Sequence, residues 1–124
     1  MTTVSVKCLE CDTPTKNGRV YPRAELEQAI RDLEGRELLV TLGYSGEAAD
    51  LSTAVGVAKG VSIRENYLTA DIKFLDTKMA QTAMKLLEDD THFGVRPATI
   101  ASPSSDDTMR GIEFLYFAIV QNPA

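Results

Sequence analysis

With 124 residues, the chain has room for one domain and one hydrophobic core, so we predict a single domain over 1–124. A net charge of −5 disfavours nucleic acid as a partner, because phosphate contacts require clustered Lys and Arg. The N-terminus lacks the pattern of a signal peptide, and no apolar run approaches the roughly 20 residues of a membrane span, so we expect a protein made in the cytoplasm, without a membrane partner.

Residues 4–9 alternate between apolar and polar side chains, which predicts a half-buried strand. Cys8 and Cys11 at its end form a lone C-x-x-C pair. A zinc site needs about four ligands, and the only histidine, His92, is far away in the sequence. We therefore favour a structural role for both cysteines, and leave open redox chemistry or a metal site shared across an oligomer.

A turn-rich loop over 12–18 leads into the first predicted helix, with Pro22 in its first turn and Gly35 as its end. The spacing of three and four residues predicts one apolar stripe on this helix, made of Leu26, Ala29, Ile30 and Leu33. A short strand is predicted over 37–42, and the loop that follows, 43–53, is rich in small and acidic residues. A structureless loop of this length in a small domain is often an interaction surface. Strands over 54–63 and 68–74 then form a hairpin, and the second of them alternates strictly between apolar and polar residues.

The second predicted helix starts at a cap provided by Asp76 or Thr77 and ends near 89–90. A strand over 93–101, a polar and mobile loop over 102–108, and a strongly apolar strand over 112–120 complete the chain. These elements predict an α+β fold: a small, mostly antiparallel β-barrel of about six strands, closed or nearly closed, with two flanking helices.

No catalytic, metal or cofactor site is evident from residue patterns alone, so we predict no cofactor. His92 would need a nucleophile and a third group to orient its ring, and Ser102, Ser104 or Ser105 reach it only if their loop folds towards it. The segment 43–46 lacks the spacing of a nucleophile elbow. The acidic residues show no calcium-loop spacing.

The segment Lys16-Asn17-Gly18-Arg19-Val20-Tyr21-Pro22, followed at once by a helix, resembles the N-terminal signature of the prohead maturation proteases of tailed phages. The resemblance extends from Asn17 to the end of the chain. Residues 40–45 stand where that family has its histidine segment, 93–97 where it has its serine-bearing strand, and 117–124 resemble its closing strand. The resemblance implies a fold similar to the herpesvirus assemblin barrel and a phage-head setting.

Two departures fall on the catalytic positions of the family. By this register Tyr44 replaces the histidine and Arg96 replaces the serine. A tyrosine with a pKa of about 10 is no base near neutral pH, and a guanidinium that stays protonated is no nucleophile. The resemblance therefore implies the fold without proteolysis.

We expect a non-enzymatic virion structural protein, most simply a capsid decoration or cement protein that binds the major capsid protein after assembly in the host cytoplasm. A homo-oligomer is compatible with this role. Two alternatives stay open. One is an active maturation protease with a shifted site built from His92 and one of the serines at 102, 104 and 105, and the other is a scaffold or core component.

The predicted partner-binding residues lie in the two polar loops and on the strand between them: Tyr44, Glu47, Asp50, Arg96, Asp106 and Asp107. Arg96 suits a contact with a carboxylate of a partner, because a guanidinium binds carboxylates through two parallel hydrogen bonds. An ion pair within the domain is an equal alternative for this residue.

Overall fold

Strands and two α-helices account for most of residues 3–89 and 92–121, which are the residues that the computed structural model describes. In chain order the elements are β1 (Thr3–Glu10), α1 (Arg23–Leu33), β2 (Leu38–Leu42), a short 3₁₀-helix (Leu51–Thr53), β3 (Ala54–Arg64), β4 (Tyr67–Phe74), α2 (Lys78–Asp89), β5 (Phe93–Pro103) and β6 (Met109–Gln121).

All six strands join one sheet in the order β1-β4-β3-β2-β6-β5. Every neighbouring pair is antiparallel except β2 and β6, which run parallel. The sheet is strongly curled, because β1 and β5, the two ends of this order, have Cα atoms within 8 Å of each other. The prediction of a small, mostly antiparallel barrel with two helices is confirmed.

The main core fills the concave side of the curled sheet, where α1 packs against β6. The helix contributes Leu26, Ala29 and Leu33, the buried part of the predicted apolar stripe. Full burial of a leucine such as Leu26 stabilises the fold by about 1.5–3 kcal/mol. The helix ends at Leu33, since Glu34 takes a left-handed conformation and its N–H bonds to Arg31.

A bulge in β6 shifts the alternation of its side chains between the two faces of the sheet, and residues on both faces are buried. Ala98 of β5 pairs with Tyr116, whereas Thr99 pairs with Phe114, which leaves Leu115 as an additional residue. Phe114 and Phe117 therefore both face the main core. Tyr116 faces the opposite, convex side of the sheet and forms a second small cluster there with Ala98 and Ala118.

Several predicted boundaries and loops need correction. The loop over 102–108 was predicted too long, because β5 continues to Pro103 and β6 begins at Met109. The remaining turn, 104–108, is closed by backbone hydrogen bonds from Ser104 N–H to Thr108 (2.9 Å) and from Asp107 N–H to Ser104 (3.0 Å), so the prediction of a mobile loop is not supported. The prediction of a structureless loop over 43–53 is wrong as well, because it contains the 3₁₀-helix and a hydrogen-bond network.

The second helix begins as predicted, with the Thr77 hydroxyl accepting a hydrogen bond from Ala80 N–H at 3.1 Å. It ends at Asp89 in the described part of the chain. Asp90, named as part of its predicted end, and the last residues of the resemblance, 122–124, lie outside the described residues.

Cys8 and Cys11 are both buried in the main core, and neither forms a disulfide. Burial raises the pKa of the Cys8 thiol to about 12 and also raises the pKa of Cys11. A thiol that stays protonated near neutral pH is a poor nucleophile and a poor metal ligand. Burial of both thiols agrees with a structural role, which stays a prediction.

Candidate binding site

The neighbouring strands β2, β6 and β5 bring Tyr44 and Arg96 together. Ala118 of β6 pairs with Thr41 on one side and with Arg96 on the other, so Arg96 shares the convex face with the second cluster. After β2, Gly43 takes a φ of 78° and turns the chain back over this face. The Arg96 guanidinium carbon then lies 6.0 Å from the centre of the Tyr44 ring.

The 43–53 loop is fixed over the sheet by the hydroxyl of Tyr116, a residue that is only 1% exposed. This hydroxyl accepts a hydrogen bond from Ser45 N–H at 2.9 Å and donates one to the Gly46 carbonyl at 2.8 Å. Within the loop, the Ser45 hydroxyl donates to the Ala48 carbonyl at 2.7 Å and accepts from Asp50 N–H at 3.0 Å. The position of Tyr44 therefore depends on a buried residue of the sheet.

A cavity of about 420 Å³ lies between this loop, β5 and the segment that precedes α1. The segment before α1 contributes Asn17, Arg19 and Tyr21, and the loop contributes Tyr44, Gly46 and Glu47. The sheet contributes four consecutive residues of β5, 96–99, and the bulge residue Leu115. Both arginines are cationic, and Glu47 is the one carboxylate among the described residues that line the cavity.

Burial raises the pKa of Tyr44, and the positive charge of Arg96 offsets part of that increase. The phenol is therefore neutral near pH 7 and has no base function there. The contact between the Tyr44 ring and the guanidinium lies at the outer limit of a cation–π interaction.

Neither cavity arginine has an ionic partner in the described part of the chain. The ion pairs found there join Arg23 to Glu27, Lys59 to Glu37 and Arg64 to Asp71. No side-chain hydrogen bond of Arg19 or Arg96 is found among the same residues. The alternative of an ion pair within the domain for Arg96 is therefore not observed in residues 3–89 and 92–121.

The structure separates the predicted partner-binding residues into two groups. Tyr44, Glu47 and Arg96 line the cavity. Asp50 lies in the same loop but holds the 3₁₀-helix, accepting hydrogen bonds from Ser52 N–H (3.0 Å) and the Ser52 hydroxyl (2.7 Å) that lower its pKa. Asp50 is not among the residues that line the cavity.

Asp106 and Asp107 lie in the 104–108 turn and do not line the cavity either. The hydroxyl of Ser104 and the N–H of Thr108 donate to the Asp106 carboxylate, and these hydrogen bonds lower its pKa to about 2. Asp107 has a φ of 63°, and its carbonyl accepts a hydrogen bond from Val20 N–H at 3.0 Å. Both residues therefore shape the turn.

The alternative of a shifted protease site combines His92 with Ser102, Ser104 or Ser105, which lie at or beyond the opposite end of β5. His92 precedes β5, whereas Ser102 lies near the far end of that strand and pairs with Arg110. Ten residues of extended chain span roughly 30 Å. Ser104 lies farther still along the chain, and its hydroxyl donates to Asp106. The length of β5 therefore argues against a site that requires these residues to meet, and the alternative stays a prediction.

The sequence interpretation missed Tyr116 and the cavity role of Arg19 and Tyr21. Arg19 and Tyr21 belong to the signature segment quoted for the resemblance, so a signal existed for them. No sequence signal existed for Tyr116, because it lies within an apolar run and its hydrogen-bond partner Ser45 is 71 positions away.

Two further observations concern the described part of the chain. No helix there is long and apolar enough to cross a membrane. Residues 3–89 and 92–121 contain no group of three or more His, Cys, Asp or Glu placed to hold a metal ion.

Among solved structures, the chain is similar to the capsid assembly protease gp21 of bacteriophage T4, with a TM-score of 0.81 and 15% sequence identity. The match covers 98% of this chain and 82% of that protease. At this identity the likeness shows a shared protease-like fold. No protein-family model matches the sequence, and no curated protein matches it.

Proposed function

We propose that the chain is a non-enzymatic phage capsid component, most simply a decoration protein that binds the major capsid protein through a surface built on a protease-like fold. The observation that carries the proposal is the contact between Tyr44 and Arg96. These are the two residues that the family resemblance aligns with a catalytic histidine and serine. They come together in space as such a pair would, but neither side chain has the required chemistry.

Proteolysis by a serine mechanism requires a hydroxyl and a base in hydrogen-bond reach. The chain has one histidine, His92, and it is not among the described residues that line the cavity. Ser45, beside Tyr44, has its hydroxyl engaged with Ala48 and Asp50. The arrangement supports binding rather than cleavage.

The first experiment tests for cleavage. Purified protein is incubated with phage capsid and scaffold proteins, and the mixtures are examined by gel electrophoresis and mass spectrometry. We expect no fragments. Cleavage that disappears in His92→Ala or in Tyr44→Phe would overturn the non-enzymatic part of the proposal.

The second experiment tests the place in the particle. Quantitative mass spectrometry of mature particles should find the protein in copy numbers comparable to those of the major capsid protein, and the purified protein should co-sediment with assembled shells. Near-absence from mature particles would contradict the decoration role and favour a scaffold or core component.

A further inference from the structure

Arg96 is presented to the cavity with its hydrogen-bonding capacity largely unused. A guanidinium offers five N–H donors, and within residues 3–89 and 92–121 the side chain of Arg96 has neither a hydrogen bond nor an ion pair. Its contact with the Tyr44 ring lies at the outer limit of a cation–π interaction and occupies none of those donors. Arg19 lines the same cavity and is in the same condition.

The charge of the cavity is opposite in sign to that of the molecule. The whole chain has a net charge of −5. The cavity has two arginines and Glu47, with its tyrosines neutral near pH 7. A guanidinium in a partly desolvated cavity forms stronger hydrogen bonds to an anion than one in bulk water. The cavity therefore favours the binding of an anion, although the protein as a whole is acidic.

The backbone on both sides of the cavity is held in place before any ligand arrives. Arg96 belongs to a strand, and Tyr44 is held by the loop that Tyr116 fixes through two hydrogen bonds. The ring of Tyr44 is half-exposed and offers an apolar wall beside the cations. A volume of about 420 Å³ is in the range of sites that hold small ligands or short peptide segments. Because the backbone and the loop are already in place, the entropy lost on binding is mainly that of ordering the two arginine side chains.

We propose that the cavity at Tyr44 and Arg96 is a carboxylate-binding site for a partner polypeptide. Arg96, assisted by Arg19, forms bidentate hydrogen bonds to the carboxylate, and the Tyr44 ring packs against the adjoining chain. The carboxylate is supplied by an acidic side chain or by a C-terminus, two sources with the same chemistry. In taking the ligand to be a protein, this inference rests on the proposed function.

The test is a titration of isotope-labelled protein with short peptides, followed by NMR. The probes are acetyl-Ala-Ala-Glu-Ala-Ala-amide, the same peptide with Gln in place of Glu, and acetyl-pentaalanine with either a free or an amidated C-terminus. One carboxylate-bearing probe should bind about tenfold to a hundredfold more tightly than its uncharged match, as expected for charge-assisted hydrogen bonds. The shift changes should centre on 43–47 and 95–99.

The source is identified by which matched pair shows the difference. A preference for Glu over Gln indicates an acidic side chain, and a preference for the free over the amidated C-terminus indicates a chain end. Arg96→Gln should abolish the preference. Arg110→Gln, which removes the same charge from an exposed position outside the cavity, should retain it.

Two results would overturn the inference. One is wild-type protein that shows no preference in either pair of probes. The other is a loss with Arg110→Gln as large as that with Arg96→Gln, which would indicate nonspecific attraction. If Arg96→Gln does not fold, Arg19→Gln at an exposed position replaces it, and the expected result is a partial loss of the preference.

Failure of this inference is distinguishable from failure of the proposed function. In one case the peptide probes show no preference, while wild type and Arg96→Gln co-sediment equally with capsid shells. This result would reject the carboxylate site and leave the decoration role in place. In the other case the probes show the preference, but wild type does not bind shells. This result would reject the decoration role and leave the carboxylate site in place.

Discussion

The 43–53 loop and the 104–108 turn were both predicted to contribute partner-binding residues, but different hydrogen bonds fix their conformations. The loop is fixed by the hydroxyl of Tyr116, which lies 71 positions from Ser45 along the chain. The turn is held mainly by its own residues, with hydrogen bonds among Ser104, Asp106 and Thr108. Its link to the rest of the protein is a bridge to Val20.

The difference shows that two exposed, polar segments of similar composition can be held in quite different ways. The loop acquires its shape only when the sheet is assembled, and it then places Tyr44 beside Arg96 over a cavity. The turn acquires its shape from neighbouring residues, and its two aspartates serve that shape. The loop therefore combines groups from distant parts of the chain, which is the reason for proposing it, and not the turn, as part of a binding site.

The largest effect is expected from removing the Tyr116 hydroxyl. Tyr116→Phe should lower the free energy of unfolding by about 1–2 kcal/mol, since two hydrogen bonds are lost while Ser45 and Gly46 remain open to water. Denaturant unfolding measures the loss, and hydrogen exchange at Ser45 should accelerate. Tyr67→Phe is the matched control, because no hydrogen bond of its hydroxyl is found in the described residues. An equal loss in the control would contradict the role of Tyr116.

A smaller effect is expected from Gly46→Ala. Gly46 has a φ of 79°, and an added Cβ meets no atom within 4 Å, so the cost is backbone strain of about 1 kcal/mol. Gly60→Ala, without a positive φ, is the control and should be near neutral. If Tyr116 is what stiffens the loop, the cost of Gly46→Ala should shrink by about 0.5 kcal/mol or more in the Tyr116→Phe background. Strict additivity of the two substitutions would contradict this view.

The smallest effect is expected in the turn. The folded-state pKa of Asp106 is about 2, below its ordinary value of 3.8, because the hydrogen bonds from Ser104 and Thr108 favour the charged form. Its contribution to stability is therefore complete above pH 4 and is lost as the pH falls towards 2. Asp106→Asn should be less stable than wild type at neutral pH, and the two should converge as the pH falls through about 2. Unfolding curves across this range measure the convergence, and a constant difference would contradict the assignment.

The sequence predicted best those features that arise from local patterns. The strict alternation over 68–74 predicted a strand that the structure extends by one residue to Tyr67–Phe74. The cap at Thr77 and the apolar stripe of α1 were found for the same reason, since both repeat within one or two helical turns. The overall α+β class followed from the sum of such elements.

Features that depend on distant pairing were less predictable. The run over 112–120 was predicted as a strongly apolar strand. Because both of its faces are apolar, its sequence has no alternation from which the bulge at Leu115 could be located. The face to which Tyr116 points could therefore not be predicted. The meeting of Tyr44 and Arg96 followed from no spacing in the sequence. It was suggested only by the family resemblance, which aligned both residues with a pair that has to touch.

The central place of β6 has a consequence for how the chain folds. β6 pairs with β2 on one side and β5 on the other, although it is the last strand of the described chain. Because the segment between Val40 and its parallel partner Phe117 is long, we expect β6 docking to be the slow step, on a scale of about milliseconds to seconds. Until then β2 leaves an unpaired edge on the β1-β4-β3-β2 sheet, and such edges recruit other chains into aggregates. Refolding yield should therefore fall steeply as protein concentration rises.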